Sequence, residues 1–509
     1  MGVSTEQGEI TVTQGEREGH FWILGSTGQG KSRFLSHLIR RDIDRLRDDQ
    51  KKGVDPRKGR ACSLCFIDST PNGQNAYDIL NYCAQVGFKK VFVVDPALIT
   101  LGRVPPINPL NYHKSYIVDS VDYLRDAFRI LFEVEDDSRT AYITGYLTAV
   151  FTLLHHAGLT LRDLIYFTLP FDKNPDEFVP EWGMISQEYQ RRRQEIFEKV
   201  REKMERPEFL QQEKEIVLRH LAEIQRAFKN QVNFANEFGS TARRINVLVN
   251  NPNLSLIFGH RKGVSFDKLI TEGWVILVNA SARGMGTLQS RLLVTVIVNQ
   301  ITQTIERLRG DAPFGHGFNK PYYLYLDEAQ KYGTEKLYDV LDTKRNIKLR
   351  LILANHFPAQ FKPRLLKSIR DNTHVKVAFW VGGKDDRLDV ANEFYGGKLK
   401  EEDVEFVLSQ KEKREAVVKV GKDGAVTIKT HDTPNAPLHK EFLDKLIATN
   451  NYASVDEVLK DFDARYQNIQ PRPKTNPRLP ERGKASDRPP DNQTAQGESA
   501  FKRAKPKGL

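Results

Sequence analysis

The sequence predicts an α/β fold with a parallel central sheet that is interrupted by an all-helical domain. Short, mostly apolar runs at residues 20–24, 64–67 and 91–94 alternate with helical patterns, and uninterrupted apolar strands are typical of parallel sheets covered on both faces. From about residue 113 to 235, strand signals disappear and long amphipathic stretches replace them. A glycine-rich turn joins the first apolar run to the first helical pattern, and turns at strand ends are where such sheets bind ligands.

The length of 509 residues predicts two or three domains. We expect the first part of the α/β core at 1–112, the helical insertion at 113–235 and the second part of the core, with a small C-terminal region, at 236–464. A tail follows at 465–509. Within these segments we expect helices at 32–47, 120–134, 187–203 and 288–309, and further strands at 274–279, 322–326, 349–354 and 375–380.

The tail carries much of the net charge of +11. Residues 466–509 contain ten Lys or Arg, four Asp or Glu and seven Pro, with few large apolar side chains. Such a segment cannot bury enough surface to offset its ordering entropy, which predicts disorder. A basic tail binds nucleic acid, an acidic partner or a membrane surface, or simply adds solubility, and the composition leaves these roles open.

The cysteine content argues against a disulfide-stabilised protein. Three Cys in a chain of this length indicate a reducing compartment. Cys62 and Cys65 form a C-x-x-C pair, but no second pair follows and the apolar run at 64–67 overlaps it. We therefore expect buried thiols rather than a zinc or redox site.

No membrane span is predicted. The N-terminus lacks an apolar signal core. Residues 140–161 carry no Asp, Glu, Lys or Arg and are long enough to cross a bilayer. They contain several Thr, two Gly and the pair His155-His156, however, which predicts a buried helix of the helical domain instead.

The glycine-rich turn matches the phosphate-binding loop (P-loop) pattern G-x-x-x-x-G-K-[ST] at every fixed position. Glycines let backbone N–H groups face the phosphates, and the following helix N-terminus favours anions. We expect Lys31 to bind the β- and γ-phosphates of ATP and the Ser32 hydroxyl to ligate Mg²⁺. The predicted nucleotide-binding residues are Gly25, Ser26, Thr27, Gly28, Gln29, Gly30, Lys31 and Ser32.

A second acidic element follows the apolar strand at 322–326, which ends in Asp327 and Glu328. We expect Asp327 to hold the Mg²⁺ and Glu328 to act as general base on the attacking water. Adjacent acids after a strand are common in turns, so this prediction depends on the P-loop. Lys31 and Asp327 lie 296 positions apart, a separation that requires the inserted domain.

With these motifs the chain resembles the FtsK–HerA superfamily of P-loop ATPases, and within it the coupling-protein ATPases of conjugation and type IV secretion. The resemblance covers roughly residues 10 to 400. Its pieces, in chain order, are the P-loop, Asp68-Ser69-Thr70-Pro71-Asn72-Gly73, Asp95-Pro96, Ile107-Asn108-Pro109-Leu110, the helical insertion, Asn253-Leu254-Ser255-Leu256-Ile257-Phe258-Gly259, Glu272-Gly273-Trp274-Val275-Ile276-Leu277-Val278-Asn279, Asp327-Glu328 and Leu351-Ile352-Leu353-Ala354-Asn355-His356.

The resemblance implies a RecA-like core that hydrolyses ATP with Mg²⁺ and assembles as a ring, with a hexamer as the expected size. It implies transport of DNA, single-stranded if the conjugative likeness holds, and a relaxase or a secretion-system component at the membrane as partner. It also implies a cytoplasmic location, with recruitment to the inner face of the membrane left open. Coupling proteins typically begin with membrane-spanning helices, and this chain resembles a soluble form without them. Two other readings stay open: a protein-delivering or remodelling ring, and a regulatory ATPase subunit of a defence or assembly complex.

The resemblance also implies the remaining catalytic residues. Where the family carries a polar γ-phosphate sensor, commonly Gln, this chain has Asn355 and His356, and the alternative is an exposed strand-end pair. Ring ATPases supply an arginine to the neighbouring subunit's nucleotide. Arg345 matches the position of that arginine in the family, and Arg243 and Arg244 are a second choice. The alternative is that these arginines only form ion pairs at the protein surface. Lys and Arg lining a channel are expected to bind DNA phosphates, but the sequence does not rank them.

Overall fold

The computed structural model describes residues 2–4, 8–56, 58, 63–111, 117–131, 137–168, 180–229, 231–310, 320–332, 335–342, 347–396, 412–450 and 452–466. Cys62, Arg345 and nearly all of the predicted tail lie outside these residues. The strands are β1 Gly2–Ser4, β2 Gly8–Ile10, β3 His20–Leu24, β4 Ser63–Asp68, β5 Val91–Val94, β6 Arg103–Val104, β7 Val275–Asn279, β8 Tyr322–Leu326, β9 Leu349–Asn355, β10 Thr373–Ala378, β11 Glu415–Val420, β12 Val426–Thr430 and β13 Ala453–Ser454.

Eleven of these strands form one sheet, in the order β2-β1-β12-β11-β10-β3-β9-β8-β4-β7-β5. The seven from β10 to β5 are parallel. Strands β11, β12, β1 and β2 extend the sheet in antiparallel fashion, and β6 pairs separately with β13. The predicted parallel sheet is confirmed, while the antiparallel extension was not predicted.

The parallel strands are buried because both faces of the sheet are covered. Every residue of β3, β4, β5, β7, β8 and β9 is buried, as expected for continuous apolar strands. Cys65 is one of them, so this thiol is buried, as predicted. The strand expected at 375–380 starts and ends two residues earlier; beyond its end, the Phe379 N–H donates to the Leu24 carbonyl of β3, and the Trp380 carbonyl accepts the Ser26 N–H of the P-loop.

Helices cover the sheet and form the insertion. They are α1 Gln14–Arg17, α2 Lys31–Lys51, α3 Gln74–Gln85, α4 Ile117–Leu131, α5 Asp137–His156, α6 Pro180–Met204, α7 Gln211–Lys229, α8 Gln231–Val249, α9 Pro252–Ile257, α10 Phe266–Thr271, α11 Thr287–Gly310, α12 Glu335–Asp342, α13 Pro363–Asn372, α14 Lys384–Tyr395, α15 Lys440–Thr449 and α16 Val455–Tyr466. Helix α2 buries one apolar stripe, including Phe34, Leu38 and Ile39, at the spacing of a core-facing helix.

Between β6 and β7, the described residues form helices joined by turns and loops, and none of them is in a strand. Helix α5 packs against α4, α6, α7 and α8, and α4 packs against α11 of the core. Phe128 and Phe151 meet edge to face, with ring centres 5.3 Å apart. The predicted domain boundaries stay a prediction, and the one at 235 falls within α8.

The segment predicted as a buried rather than a membrane helix corresponds largely to α5. Its Leu147, Val150 and Leu154 are buried against neighbouring helices. Among the described residues, no helix combines the length and the apolar character needed to cross a bilayer.

The C-terminal segment packs back onto both parts of the chain. The Tyr452 hydroxyl accepts the Val93 N–H at 2.7 Å and donates to the Val93 carbonyl at 3.1 Å, so it covers the edge of the sheet at β5. Farther along, Arg465 on α16 pairs with Asp163 of the insertion, with 2.7 Å between Nη1 and Oδ2 and both side chains buried. These contacts join the sheet edge, the insertion and the chain's last described helix.

Candidate nucleotide-binding site

Sheet register brings the predicted site residues to one edge. The last residue of β3, Leu24, pairs with Asn355 at the end of β9. Leu326 at the end of β8 pairs with Leu353 of β9 and with Ile67 of β4. The carboxyl ends of neighbouring parallel strands lie side by side. This brings together the P-loop after β3, the acidic pair after β8 and the polar pair at the end of β9.

The P-loop backbone needs glycine at defined positions. Gly25, Gly28 and Gly30 have φ angles of 152°, 82° and 121°, in the region that L side chains rarely adopt. A Cβ on Gly25 would also lie 2.6 Å from the Cβ of Phe379, which is too close for two carbon atoms. Helix α2 begins at Lys31 directly after the loop, so unpaired N–H groups and the positive end of the helix dipole meet there.

Lys31 is buried and held across the loop. Its Nζ donates to the Gly25 carbonyl at 2.5 Å and lies 3.0 Å from His356 Nδ1. Burial lowers the pKa of Lys31, and the charges of Asp327 and Glu328 oppose that shift. The ammonium group is therefore positioned beside the loop that would surround the phosphates.

Ser32 and Asp327 form the oxygen pair that fits Mg²⁺. Ser32 Oγ lies 3.3 Å from Asp327 Oδ2, and Asn75 Nδ2 lies 3.5 Å from the same oxygen. Burial, and then the nearby charge of Asp68, raise the pKa of Asp327 to about 6. A bound cation would stabilise the charged form of this carboxylate, which burial and Asp68 destabilise. Hydroxyl and carboxylate oxygens are also ligands that Mg²⁺ prefers. These residues fit the ion expected from the sequence.

Glu328 turns away from the strand that precedes it. Its φ of 53° is unusual for a residue other than glycine, and such backbone is common at functional sites. Its N–H donates to Asp327 Oδ1 at 3.1 Å. Its carboxylate pairs with Lys331 and has Oε1 3.9 Å from His356 Nε2. The carboxylate thus remains partly open to solvent at the edge of the site, where a water-activating base has to be.

The two predicted sensor residues occupy different environments. Asn355 is fully buried; its Oδ1 accepts the Trp22 Nε1–H at 2.9 Å and its Nδ2 donates to the Phe357 carbonyl at 2.7 Å. Both polar ends of this amide are therefore used inside the protein. His356 instead faces Lys31.

The surroundings of His356 favour its neutral form over the imidazolium. Burial, and then the charge of Lys31, lower its pKa. Its Nδ1 lies 3.0 Å from Lys31 Nζ, which donates, and 3.4 Å from the Gly25 carbonyl, which accepts, so the tautomer decides which of these two contacts forms. The imidazole therefore lies between the phosphate-binding cation and the candidate base.

Comparisons with known proteins address the fold of this chain. Neither a scan against protein-family models nor a search of curated proteins finds a match. A solved structure of the plasmid coupling protein TrwB, in complex with the non-hydrolysable GTP analogue GDPNP, aligns over 86% of this chain and 92% of TrwB with a TM-score of 0.52. The fold is similar to that of a conjugative coupling protein. An unbound form of TrwB gives a TM-score of 0.51 over the same shares, and both identities are 13%.

The likeness to TrwB agrees, at the level of fold, with the resemblance predicted from the motifs. The structure brings together Lys31, Ser32, Asp327, Glu328 and His356, as that resemblance implied. It does not bring the Asn355 amide to the loop.

The candidate arginines are less well placed by the structure. Arg243 and Arg244 lie exposed on α8, on the return from the insertion. Arg345 lies outside the described residues. The residue that acts across a subunit interface therefore stays a prediction.

Two neighbours of the site were not predicted. Asn75 contacts Asp327 from the start of α3; its only signal was its place after the Asp68–Gly73 turn. Arg414 donates its N–H to the Gln29 carbonyl at 2.9 Å, and nothing in its local sequence indicates a contact with the P-loop.

Proposed function

We propose that this chain is an ATP-hydrolysing motor that moves DNA. The observation that carries the proposal is the meeting of Lys31, Ser32, Asp327 and Glu328 at one edge of the sheet, although they come from opposite halves of the sequence. Support for DNA as cargo comes from the likeness to TrwB, a plasmid coupling protein that binds a nucleoside triphosphate analogue.

Each residue has a distinct role in this proposal. Lys31 exchanges its contacts with Gly25 and His356 for the β- and γ-phosphates of ATP. Ser32 and Asp327 hold Mg²⁺, which supplies charge neutralisation at the phosphates. Glu328 accepts a proton from the attacking water. His356, which loses its contact with Lys31 when the phosphates arrive, is the proposed γ-phosphate sensor.

Ring assembly completes the site in this proposal. We propose a hexamer in which Arg345 of one subunit stabilises the charge that develops at the next subunit's nucleotide. Arg345→Ala mixed with Lys31→Ala should then restore part of the activity in hybrid rings, because some interfaces combine an intact loop with an intact arginine. No recovery at any mixing ratio counts against Arg345 and directs the same test to Arg243 and Arg244.

The cargo is tested by DNA-stimulated hydrolysis. ATPase rates of the full chain are measured against single-stranded and double-stranded DNA at several salt concentrations, with Lys31→Ala as the inactive control. We expect stimulation by DNA, stronger with single strands, and a loss of apparent affinity as salt rises, because each neutralised phosphate releases counterions. If hydrolysis depends on Lys31 and neither DNA changes it, the DNA motor is refuted and a protein-handling ring or a regulatory ATPase takes its place.

The cellular setting follows from the same proposal. We propose action in the cytoplasm, with a relaxase or a secretion-system component at the inner face of the membrane as partner. Co-purification of the ring with such a component, in wild type and not with a variant that fails to assemble, tests this setting.

A further inference from the structure

Arg414 is fixed against the P-loop by its backbone. Its N–H donates to the Gln29 carbonyl, and its own carbonyl accepts the Thr430 N–H at 2.9 Å and the Thr430 hydroxyl at 3.0 Å. A Cβ placed on Gly30 would lie 3.3 Å from the Cα of Arg414. The hairpin of β11 and β12 therefore holds this residue in contact with the last glycine of the loop.

The backbone of Arg414 is also unusual. Its φ is 75°, a left-handed conformation that costs energy for any residue except glycine and persists where the surroundings enforce it. Glycine would satisfy this turn without that cost. An arginine at this position is therefore explained better by its side chain than by the needs of the turn.

The Arg414 guanidinium forms a weak, solvent-exposed ion pair with Asp432. Nη1 lies 3.0 Å from Asp432 Oδ1; the arginine side chain is 31% exposed and the aspartate 71%. Such exposed pairs contribute little free energy. Phosphate oxygens, in contrast, match the fork of guanidinium N–H groups and bind it in two-pronged fashion.

The segment after Asp432 is attached to the same end of α2. Arg33, two residues beyond Lys31, donates to the Thr433 carbonyl. Arg414 and Asp432 therefore belong to the rim of the P-loop rather than to a separate surface.

We propose that Arg414 is a second phosphate-binding cation, which exchanges Asp432 for the phosphate chain of the nucleotide held by the P-loop of the same subunit. This rests on the proposed nucleotide site. It assigns to the antiparallel hairpin a direct part in nucleotide binding, and to Asp432 the part of a carboxylate that competes with the phosphates.

The test measures nucleotide binding without DNA. The full chain is titrated with fluorescently labelled ADP and with a labelled non-hydrolysable ATP analogue, both with Mg²⁺. Arg414→Ala should weaken binding roughly tenfold or more, as expected for a lost hydrogen bond to a charged group. Lys422→Ala is the matched control: it removes the same charge from the exposed turn of the same hairpin, and should change affinity less than about twofold.

Asp432→Asn tests the exchange itself. It should tighten binding, and the gain should vanish in the Arg414→Ala background, because the two residues act on one another. Arg414→Lys, which keeps the charge and loses the fork, should fall between wild type and Arg414→Ala, and it carries the test if Arg414→Ala does not fold.

Several results overturn the inference. One is an unchanged nucleotide affinity in the folded Arg414 variants, or an equal loss of affinity in Lys422→Ala. Another is an unchanged affinity in Asp432→Asn. A third is that Arg414→Ala weakens the binding of adenosine as much as that of the nucleotides, which would indicate a contact with the base. Lys31→Ala in the same titration separates the two proposals. If Lys31→Ala weakens binding and Arg414→Ala does not, only the role of Arg414 fails; if Lys31→Ala has no effect, the nucleotide site itself is wrong.

Discussion

Glu328→Gln should stop hydrolysis while leaving nucleotide binding intact. Glutamine keeps the shape of the side chain and removes its capacity to accept a proton. General bases contribute about 10²- to 10⁴-fold to rate, so we expect kcat to fall by that factor, equivalent to about 3–5 kcal/mol of barrier. The lost ion pair with the half-exposed Lys331 accounts for at most about 1 kcal/mol of stability, which is too little to explain such a rate loss by unfolding.

The assay for Glu328→Gln pairs phosphate release with titration of a labelled ATP analogue. Lys331→Ala is the control, since it breaks the same ion pair and leaves the carboxylate in place. The reasoning is refuted if kcat falls less than about tenfold, if nucleotide affinity falls by the same factor as kcat, or if Lys331→Ala is equally slow.

Three further predictions concern the site and its supports. Burial raises the pKa of Asp327 to about 6, so Mg²⁺-dependent kcat/KM should fall as the pH drops through about 6. The midpoint of this pH profile should move to lower pH as the Mg²⁺ concentration is raised, because Mg²⁺ competes with the proton. A midpoint that does not depend on Mg²⁺ contradicts the assignment. Asn355→Ala should lower the free energy of unfolding by about 1–3 kcal/mol in denaturant titrations, because the buried Trp22 N–H loses its acceptor. A variant that is as stable as wild type but hydrolyses ATP more slowly would instead support Asn355 as the γ-phosphate sensor. Arg465→Ala should cost about 3–5 kcal/mol, because the buried carboxylate of Asp163 loses this cationic partner and retains the neutral donors of Thr160. An unchanged Tm would contradict this.

The centre of the fold and of the site could be predicted because the signals are local. A P-loop is a contiguous pattern between a strand and a helix, and Asp327-Glu328 directly follows one apolar strand. The carboxyl ends of parallel strands meet at one edge, so Lys31, Ser32 and Asp327 could be expected together without knowing the full strand order.

The remainder depends on contacts between distant parts of the chain. Strands β1, β2, β11 and β12 join the sheet only once β10 offers an edge, and Arg414 reaches the P-loop only through that extension. The sequence could not decide whether Asn355 or His356 is the sensor, because the direction of each side chain depends on where the strand ends. Asn355 still belongs to β9 and faces Trp22, whereas His356 lies beyond the strand.

The strand order also has a consequence for how this protein is made. Strand β3, which carries the P-loop, lies between β9 and β10, and these end at residues 355 and 378. At translation rates of ~5–20 residues per second, β10 leaves the ribosome roughly 20 to 70 s after β3. Until β9 and then β10 emerge, the backbone N–H and C=O groups along the two edges of β3 lack their sheet partners, and its apolar side chains lack their core, so we expect the nascent chain to bind chaperones.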